Sequence, residues 1–322
     1  MSHTAKVSVV MSVYNSASTL EKTMDSILTQ EGIDMELIVV NDGSTDGSGA
    51  VLDDYSAQDR RLRVIHQNNR GLTRSLIKGC AEATGEYLAR QDAGGDASLP
   101  TRLNVQASFL DANPEAVMTS CGTRFIGPAG EVLYDISQAG EELQRGLQSL
   151  TLNGLRGPSS HGSTMFRASA YRKVGGYRAE FPVAQDLDLW IRLSEVGKCL
   201  ATPDVLYQLI LAKGSISHLR RFEQIERTKV IFACAQRRRV GADETGVLRQ
   251  MTSSRRPLLL PNQGLAEARF HYFIASVLRK KNPTRAARYY MEAIRSWTLY
   301  PKAWVGLGMC AVAKLVQARN PE

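Results

Sequence analysis

Short runs of apolar residues alternate with segments of helical spacing along the N-terminal part of the chain. Such runs are typical of strands buried on both faces, and the segments between them are typical of amphipathic helices. The pattern predicts strands at 7–13, 35–40, 63–66 and 87–90, and helices at 19–30, 46–57 and 73–83. Helices of this length connect strands through right-handed crossovers, so the sequence predicts an α/β fold with a mostly parallel, Rossmann-like sheet.

Polar side chains follow each of the four predicted strands. The clusters are Tyr14-Asn15, Asn41-Asp42, Gln67-Asn68-Asn69 and Gln91-Asp92. In an open parallel sheet, ligands bind beyond the carboxyl ends of the strands. The four clusters therefore predict one binding site at this edge of the sheet.

The formal net charge of +8 is distributed unevenly. From Lys213 onward the chain has 21 basic and 7 acidic residues, whereas the part before Lys213 has 19 basic and 25 acidic residues. Two regions with different partners follow from this asymmetry. We expect a domain at 1–217 and a basic α-helical region at 218–322, with helices at 219–239, 265–280, 284–296 and 302–318 and a linker at 241–264.

Several classes of protein are disfavoured by the composition. No stretch approaches the roughly 18–20 apolar residues that span a membrane, and residues 1–6 lack the apolar core of a signal peptide. The five cysteines are scattered, without a Cys-x-x-Cys pair, which argues against a disulfide framework and a thiolate zinc site. The sequence predicts a cytoplasmic location, and peripheral attachment to the inner face of the membrane stays open.

Three segments resemble family-2 inverting glycosyltransferases of the bacterial polysaccharide type: 9–15 (VVMSVYN), 39–46 (VVNDGSTD) and 87–93 (YLARQDA). The likeness covers about residues 6–217. It implies the nucleotide-sugar-binding fold called GT-A, followed here by an α-helical appendage. The implied activity is transfer of a sugar, with inversion, from a nucleotide diphosphate donor such as a UDP-sugar to an acceptor hydroxyl. The implied process is assembly of cell-surface polysaccharide or glycolipid, with a saccharide or lipid-linked acceptor.

In the family, the residue at the position of Asp42 binds the nucleoside together with the backbone near Tyr14. A carboxylate at a strand end can accept hydrogen bonds from a base N–H or a ribose hydroxyl. The alternative is an Asx turn in which Asp42 caps the helix that begins near Asp46. We expect the donor-binding residues to be Val13, Tyr14, Asn15, Asp42, Asn69, Arg74, Gln91 and Asp92.

The carboxylate of Asp92 matches the first acidic residue of the family's Asp-x-Asp element, which holds Mn²⁺ or Mg²⁺ against the diphosphate. Here the segment is Asp92-Ala93-Gly94-Gly95-Asp96, with Gly94 where the second aspartate usually stands. The resemblance thus implies a metal held by Asp92 and Asp96, the latter brought in by a flexible Gly-Gly turn. An acidic turn that binds no metal is the alternative.

A later segment, 185–193 (QDLDLWIRL), resembles the helix start that carries the catalytic base in the family, with Gln185 in place of the usual Glu. Asp186 then corresponds to the base, held at a helix N-terminus. In the competing interpretation Asp186 is an N-cap and Asp188 a first-turn charge, each stabilising the helix by ~1 kcal/mol. We expect His161, Gln185 and Trp190 on the acceptor or phosphate side; a structural, hydrogen-bonded His161 is equally compatible.

Departures from the family pattern keep two other functions open. Beside Gly94 and Gln185, the chain has Ile77, Ile210 and Ala212 where the family often has polar residues, and Arg74 or Lys213 could supply the missing charge. A catalytically degenerate nucleotide-sugar-binding homologue is one alternative. A binding module built on the basic region is the other. That region lacks nucleic-acid-binding motifs, so we expect no nucleic-acid partner, whereas an anionic membrane surface suits its charge.

Overall fold

The computed structural model describes residues 5–212, 220–253 and 262–319. The chain divides into two compact units. The first unit consists of Met1–Arg124, Asp135–Ile210 and Gln224–Arg255, and the second of Phe125–Tyr134, Leu211–Glu223 and Arg256–Glu322. The predicted boundary between residues 217 and 218 lies outside the described residues, so that division stays a prediction.

The elements follow one another as an α/β alternation that ends in helices. The strands are β1 (Val7–Val13), β2 (Met35–Asn41), β3 (Leu62–His66), β4 (Tyr87–Asp92), β5 (Ala97–Ser98), β6 (Ala116–Ile126), β7 (Val132–Ile136), β8 (Thr164–Arg167) and β9 (Lys198–Ile210). The helices are α1 (Ala17–Leu28), α2 (Ser48–Gln58), α3 (Leu72–Ala81), α4 (Arg102–Ala112), α5 (Glu142–Gln148), α6 (Ala168–Lys173), α7 (Gln185–Ser194), α8 (Arg221–Arg239), α9 (Thr245–Ser253), α10 (Gln263–Leu278), α11 (Pro283–Ser296) and α12 (Pro301–Arg319).

The sheet has a parallel part and an antiparallel part, in the order β3-β2-β1-β4-β8-β6-β9-β5, with β7 paired to β6. Strand β1 pairs in parallel with β2 and β4, and β2 pairs in parallel with β3. Strand β8 is antiparallel to β4 and β6, and β5 is antiparallel to β9. The predicted parallel sheet is confirmed. The antiparallel strands were not predicted.

Both faces of the parallel strands are covered, which explains their continuous apolar sequence. Val9 and Met11 of β1 face a core shared with α1, whereas Val10 faces a second core. That second core contains side chains from α3, α7, α8 and α9, such as Leu76, Trp190, Ile231 and Met251. The predicted linker at 241–264 was therefore wrong in part, because the apolar side chains of α9 pack into the core.

The described helices of the second unit, α10–α12, match the predicted segments to within about two residues. Asn262 and Asn282 cap α10 and α11 by accepting hydrogen bonds from the backbone amides of Leu265 and Arg285. Among the described residues, no helix is long and apolar enough to cross a membrane. The five cysteines are buried, and none of them forms a disulfide in the described part of the chain.

Candidate active site

The carboxyl ends of β1, β2 and β4 lie next to one another, as their parallel registers require. Val13 pairs with Asn41, and Ser12 pairs with Asp92. The backbone amide of Asp42 donates to the carbonyl of Val13 at 2.8 Å. The first three polar clusters and the acidic end of β4 therefore share one edge of the sheet in the first unit.

The Asp42 carboxylate organises the loop between β3 and α3. It is 1% exposed and accepts hydrogen bonds from Gln67 Nε2, from the Arg70 amide and from the Gly71 amide, all at 2.8 Å. The turn after Asp42 lies very close to this loop. Gly43 has a φ of +75°, and a Cβ at this position would be 2.7 Å from the backbone nitrogen of Asn69. Asp42 thus fixes the loop that carries the exposed Asn69, and it does not cap α2.

The loop after β1 is held by the turn after β2. Asn15, in the left-handed region with φ 48°, accepts a hydrogen bond from the Thr45 amide at 2.8 Å, and its own amide donates to Ser44 Oγ at 3.0 Å. The Asp46 carboxylate accepts hydrogen bonds from the backbone amides of Ala17 and Ser48. The second of these bonds explains why α2 begins at Ser48. Tyr14 is left 52% exposed. An aromatic ring beside a fixed polar loop is suited to stacking on a base.

At the end of β4, Asp92 forms an ion pair with a buried arginine. Arg90, 2% exposed, donates from Nη2 to Asp92 Oδ1 at 2.8 Å and from Nη1 to the Val10 carbonyl at 2.7 Å. The Asp92 side chain is 33% exposed, and no donor in the described part of the chain reaches its Oδ2. Asp92 therefore keeps one carboxylate oxygen for a ligand.

Gln91 and Arg102 form the buried support under this strand end. Gln91 is fully buried, and its Nε2 donates to the carbonyls of Asp92 at 3.2 Å and Asp96 at 3.1 Å. The fully buried Arg102 donates to the Arg90 carbonyl at 2.9 Å and to Gln91 Oε1 at 3.3 Å. In this structure the Gln91 amide is engaged within the protein.

The turn Gly94-Gly95 leads to the deeply buried Asp96. Gly95 has a φ of +89°, which favours glycine. Asp96 Oδ1 accepts from the Ile210 amide at 2.8 Å and Oδ2 from the Tyr207 hydroxyl at 3.0 Å. Desolvation, with the nearby charge of Asp92, raises the pKa of Asp96 to about 7. Both oxygens thus already have partners, and the ionised form is disfavoured.

Asp186 is the second residue of α7 and follows an unusual backbone position. Ala184, which precedes the helix, has left-handed angles (φ 57°, ψ 22°), a sparsely populated conformation for a residue with a Cβ. Asp186 Oδ1 accepts from the Leu187 amide at 2.8 Å, and among the described residues no cation forms an ion pair with it. Desolvation is the main reason that the pKa of Asp186 is raised to about 6, and the charge of Asp92 adds to the shift.

Asp188, two residues further, has the opposite surroundings. It is fully buried and forms ion pairs with Arg178 and with Arg192, the latter at 2.5 Å. Arg178 also pairs with Glu244 of the α8–α9 segment at 2.7 Å. Asp188 is a first-turn charge, as the competing interpretation had it, but it is enclosed by Arg192 of the same helix and by Arg178, so its main role is in this buried network.

Three of the remaining predicted residues, His161, Gln185 and Trp190, are buried. His161 is 8% exposed, and its Nε2 is 2.7 Å from the Tyr177 hydroxyl, as the structural alternative requires. Desolvation lowers the pKa of His161 to about 3, so its ring is neutral at physiological pH. Trp190, 5% exposed, packs edge-on against His161, and the described chain offers no acceptor to its buried Nε1. Gln185 is buried at the start of α7, whereas Arg74 is exposed on α3.

Three important residues had no predicted role: Arg90, Arg102 and Tyr207. Arg90 lies inside an apolar strand, and a charge at such a position needs a buried partner, so the sequence held a signal for it. For Arg102 and Tyr207 the sequence offered no comparable signal, because their partners at Gly162 and Asp96 come from distant segments.

The residues of the site are suited to hold a divalent cation through Asp92. Mg²⁺ usually takes one or two carboxylates together with substrate phosphates and water. The second oxygen of Asp92 meets that requirement, because Arg90 engages only its Oδ1. Among the described residues, no three His, Cys, Asp or Glu side chains group closely enough to form a metal cage.

Comparison with known proteins gives a consistent assignment. The family model described as "Glycosyl transferase family 2" matches residues 8–175. The chain is 37% identical over 199 residues to the putative glycosyltransferase EpsE of Bacillus subtilis, covering 60% of this chain and 68% of that protein. It is also 28% identical over 237 residues to an uncharacterized glycosyltransferase of Haemophilus influenzae, covering 70% and 71% of the two chains.

Solved structures share the fold at low sequence identity. The S. aureus TarS 1–349 fragment in complex with UDP superposes with a TM-score of 0.56 at 16% identity, over 91% of this chain and 89% of that one. The mannosyltransferase PcManGT of Pyrobaculum calidifontis, in complex with GDP-Man and Mn²⁺, gives 0.56 at 18% identity, over 98% and 87% of the two chains. These likenesses confirm the predicted GT-A-like fold with extra C-terminal helices.

Proposed function

The chain belongs to glycosyl transferase family 2, and we propose that it transfers a sugar from a nucleotide diphosphate donor to an acceptor hydroxyl with inversion at the anomeric carbon. The observation that carries this proposal is Asp186. It is a partly exposed carboxylate without a cation partner among the described residues, and it lies within electrostatic reach of Asp92. A carboxylate whose pKa is raised to about 6 is still ionised at neutral pH and is a stronger base than an ordinary one.

We place the nucleoside at the ends of β1 and β2. Tyr14 offers a ring for stacking, and Asn15 and the loop at Asn69 border the same corner. Asp42 positions that loop through three hydrogen bonds, and its direct contact with the base stays a prediction. The similar structures that contain UDP and GDP-Man support a nucleotide-sugar donor, and we favour a UDP-sugar. The exposed Arg74 is available to the diphosphate.

We assign the metal contact to Asp92. When bound, Mn²⁺ or Mg²⁺ would neutralise the charge that develops on the departing diphosphate. Asp92 would contribute its Oδ2 while Arg90 holds Oδ1 in place. A direct metal contact from Asp96 stays a prediction. Since its two oxygens already accept hydrogen bonds, such a contact requires Asp96 to give one up or to share it.

The proposed reaction is one displacement. The acceptor oxygen forms a bond to the anomeric carbon while the bond from that carbon to the diphosphate oxygen breaks. The electron pair leaves with the nucleoside diphosphate, and the acceptor proton passes to Asp186. His161 is neutral and already bound to Tyr177, so it is placed to orient groups and not to take this proton. We propose a saccharide or lipid-linked acceptor, as in assembly of surface polysaccharide or glycolipid.

Calorimetry tests the donor and metal assignments without knowledge of the acceptor. UDP and GDP are titrated into the wild-type protein and into Asp92→Asn, each with and without Mn²⁺. We expect Mn²⁺ to strengthen UDP binding to the wild type and to have no such effect on Asp92→Asn. The matched control is Asp54→Asn, an exposed aspartate on α2, which should behave as the wild type.

Two results would contradict these assignments. Equal UDP affinity in all four combinations of protein and metal would contradict the assignment of the metal to Asp92. Absence of binding to either nucleotide by the folded wild type would contradict the donor assignment; nucleotide binding without any transfer would instead favour the catalytically degenerate homologue.

A further inference from the structure

The last helix of the second unit has small residues on its packed face and large apolar residues on its exposed face. Ala303, Gly306 and Cys310 are buried, and a Cβ on Gly306 would meet the Tyr290 ring of α11 at 2.3 Å. By helical spacing, Trp304 and Val305 project away from this packed side. Met309, three residues after Gly306, lies at its margin, where its Sδ is 2.9 Å from Arg279 Nη1. A helix that only covers a core has its bulky apolar residues inside, so this arrangement needs another explanation.

Four exposed apolar residues lie close together in the sequence, in α12 and just before it, and we call them the α12 face: Leu299, Trp304, Val305 and Met309. Their exposures are 81%, 52%, 62% and 51%. Single exposed apolar residues are ordinary, but four within eleven positions are typical of an interaction surface. Three aromatic residues lie in and next to this segment. Trp304 belongs to the face, whereas Trp297 and Tyr300 are partly covered and Tyr300 packs edge-on against Tyr272.

The charge of the segment that contains the α12 face is predominantly positive. Between Asn262 and Arg319 the sequence contains ten basic and two acidic residues, and Pro301–Arg319 contains no acidic residue. Arg288 and Lys302 are exposed, as is Arg295, which pairs with Glu292. A second copy of this surface would bring like charges together, which disfavours self-association through it. A negatively charged surface with an apolar interior is complementary to it.

We propose that the α12 face docks on an anionic lipid bilayer, with Trp304, Val305 and Met309 entering the interface and the surrounding basic residues binding lipid head groups. Helices that lie in the interface plane combine a polar, basic side with an apolar side containing Trp or Leu. Trp suits this depth because its ring is apolar while its N–H is polar. The proposal rests on the exposed side chains of the second unit and is independent of the chemistry of the first unit.

The test is sedimentation of the full chain with two kinds of vesicle: phosphatidylcholine alone, and an equimolar mixture of phosphatidylcholine and phosphatidylglycerol. We expect strong partitioning only to the mixture, with a decrease at high salt. Replacing the apolar side chains together (Trp304→Ser, Val305→Ser, Met309→Ser) should lower partitioning by about tenfold or more. Arg288→Gln and Lys302→Gln should each lower it by roughly fivefold.

The matched control is Val240→Ser, which removes a 78% exposed apolar side chain from the first unit and should leave partitioning unchanged. Circular dichroism of each variant shows whether the helix content of the chain is retained. Partitioning that ignores phosphatidylglycerol would overturn the proposal, as would a folded triple variant that still partitions like the wild type. A wild-type oligomer that the triple variant dissociates in gel filtration would assign the face to a second copy instead.

Discussion

The two faces of the first turn of α7 place similar carboxylates in opposite surroundings. On one face, Asp186 is partly exposed, receives one backbone hydrogen bond and has no ion-pair partner among the described residues. On the other face, Asp188 is fully buried between Arg178 and Arg192, and Arg178 extends the network to Glu244. The difference shows how partners, and not position in the sequence, separate a carboxylate available for chemistry from one that holds the fold together.

The two faces of this turn also depend on each other. A buried ion pair with additional hydrogen bonds fixes the orientation of the groups that it joins. Asp188 thereby holds the first turn of α7 against Arg178, directly beside the left-handed Ala184. The exposed face of the turn can then present Asp186 in a fixed place.

The largest expected effect is on the rate of transfer by Asp186→Asn. The amide keeps the shape of the side chain and the acceptor for the Leu187 amide, so folding and UDP binding should persist. Transfer should fall by roughly 10²–10⁴-fold, because general-base catalysis contributes about that much. Thermal stability should be equal or slightly higher, since burial disfavours the ionised carboxylate. Asp54→Asn is the control in the same assay, and near-normal turnover by Asp186→Asn would remove it as the base.

Asp188→Asn should mainly lower the stability of the fold. It leaves Arg178 and Arg192, with side-chain exposures of 14% and 5%, without their shared counter-charge. Breaking a buried pair in this way usually lowers the free energy of unfolding by about 3–5 kcal/mol. Urea denaturation measures the loss. A variant as stable as the wild type would show that the network around Asp188 is not structural.

A smaller effect is expected from pH. The base must be ionised, and burial raises the pKa of Asp186 to about 6, so the rate should rise with pH through about 6 and then level off. At pH 5 it should be about tenfold below the plateau, because roughly one carboxyl in ten is then ionised. His161, whose pKa is lowered to about 3, stays neutral throughout this range.

A second buried carboxyl provides the control for the pH profile. The pKa of Asp96 is raised to about 7, so its titration would place the rise about one pH unit higher. In Asp96→Asn the rise near pH 6 should remain. If the rise is centred near 7 and disappears in that variant, Asp96 and not Asp186 governs the profile.

The sequence was informative where local pattern determines position. Continuous apolar runs located β1 to β4, and parallel pairing then required Asp42 and Asp92 to meet at one edge. It could not predict the surroundings of Asp188, because Arg178 reaches that residue, and Glu244 reaches Arg178, only through tertiary packing. The antiparallel strands were missed for the same reason, since β8 pairs with a strand far from it in the sequence, with Arg167 opposite Tyr87.

The anomeric configuration of the product tests the central claim, a single displacement with one base, most directly. None of the predicted site residues stands as a second carboxylate nucleophile for a covalent sugar intermediate. Proton NMR of the product made from an α-linked UDP-sugar should therefore show a β-linkage. A product that retains the α-linkage would contradict the account.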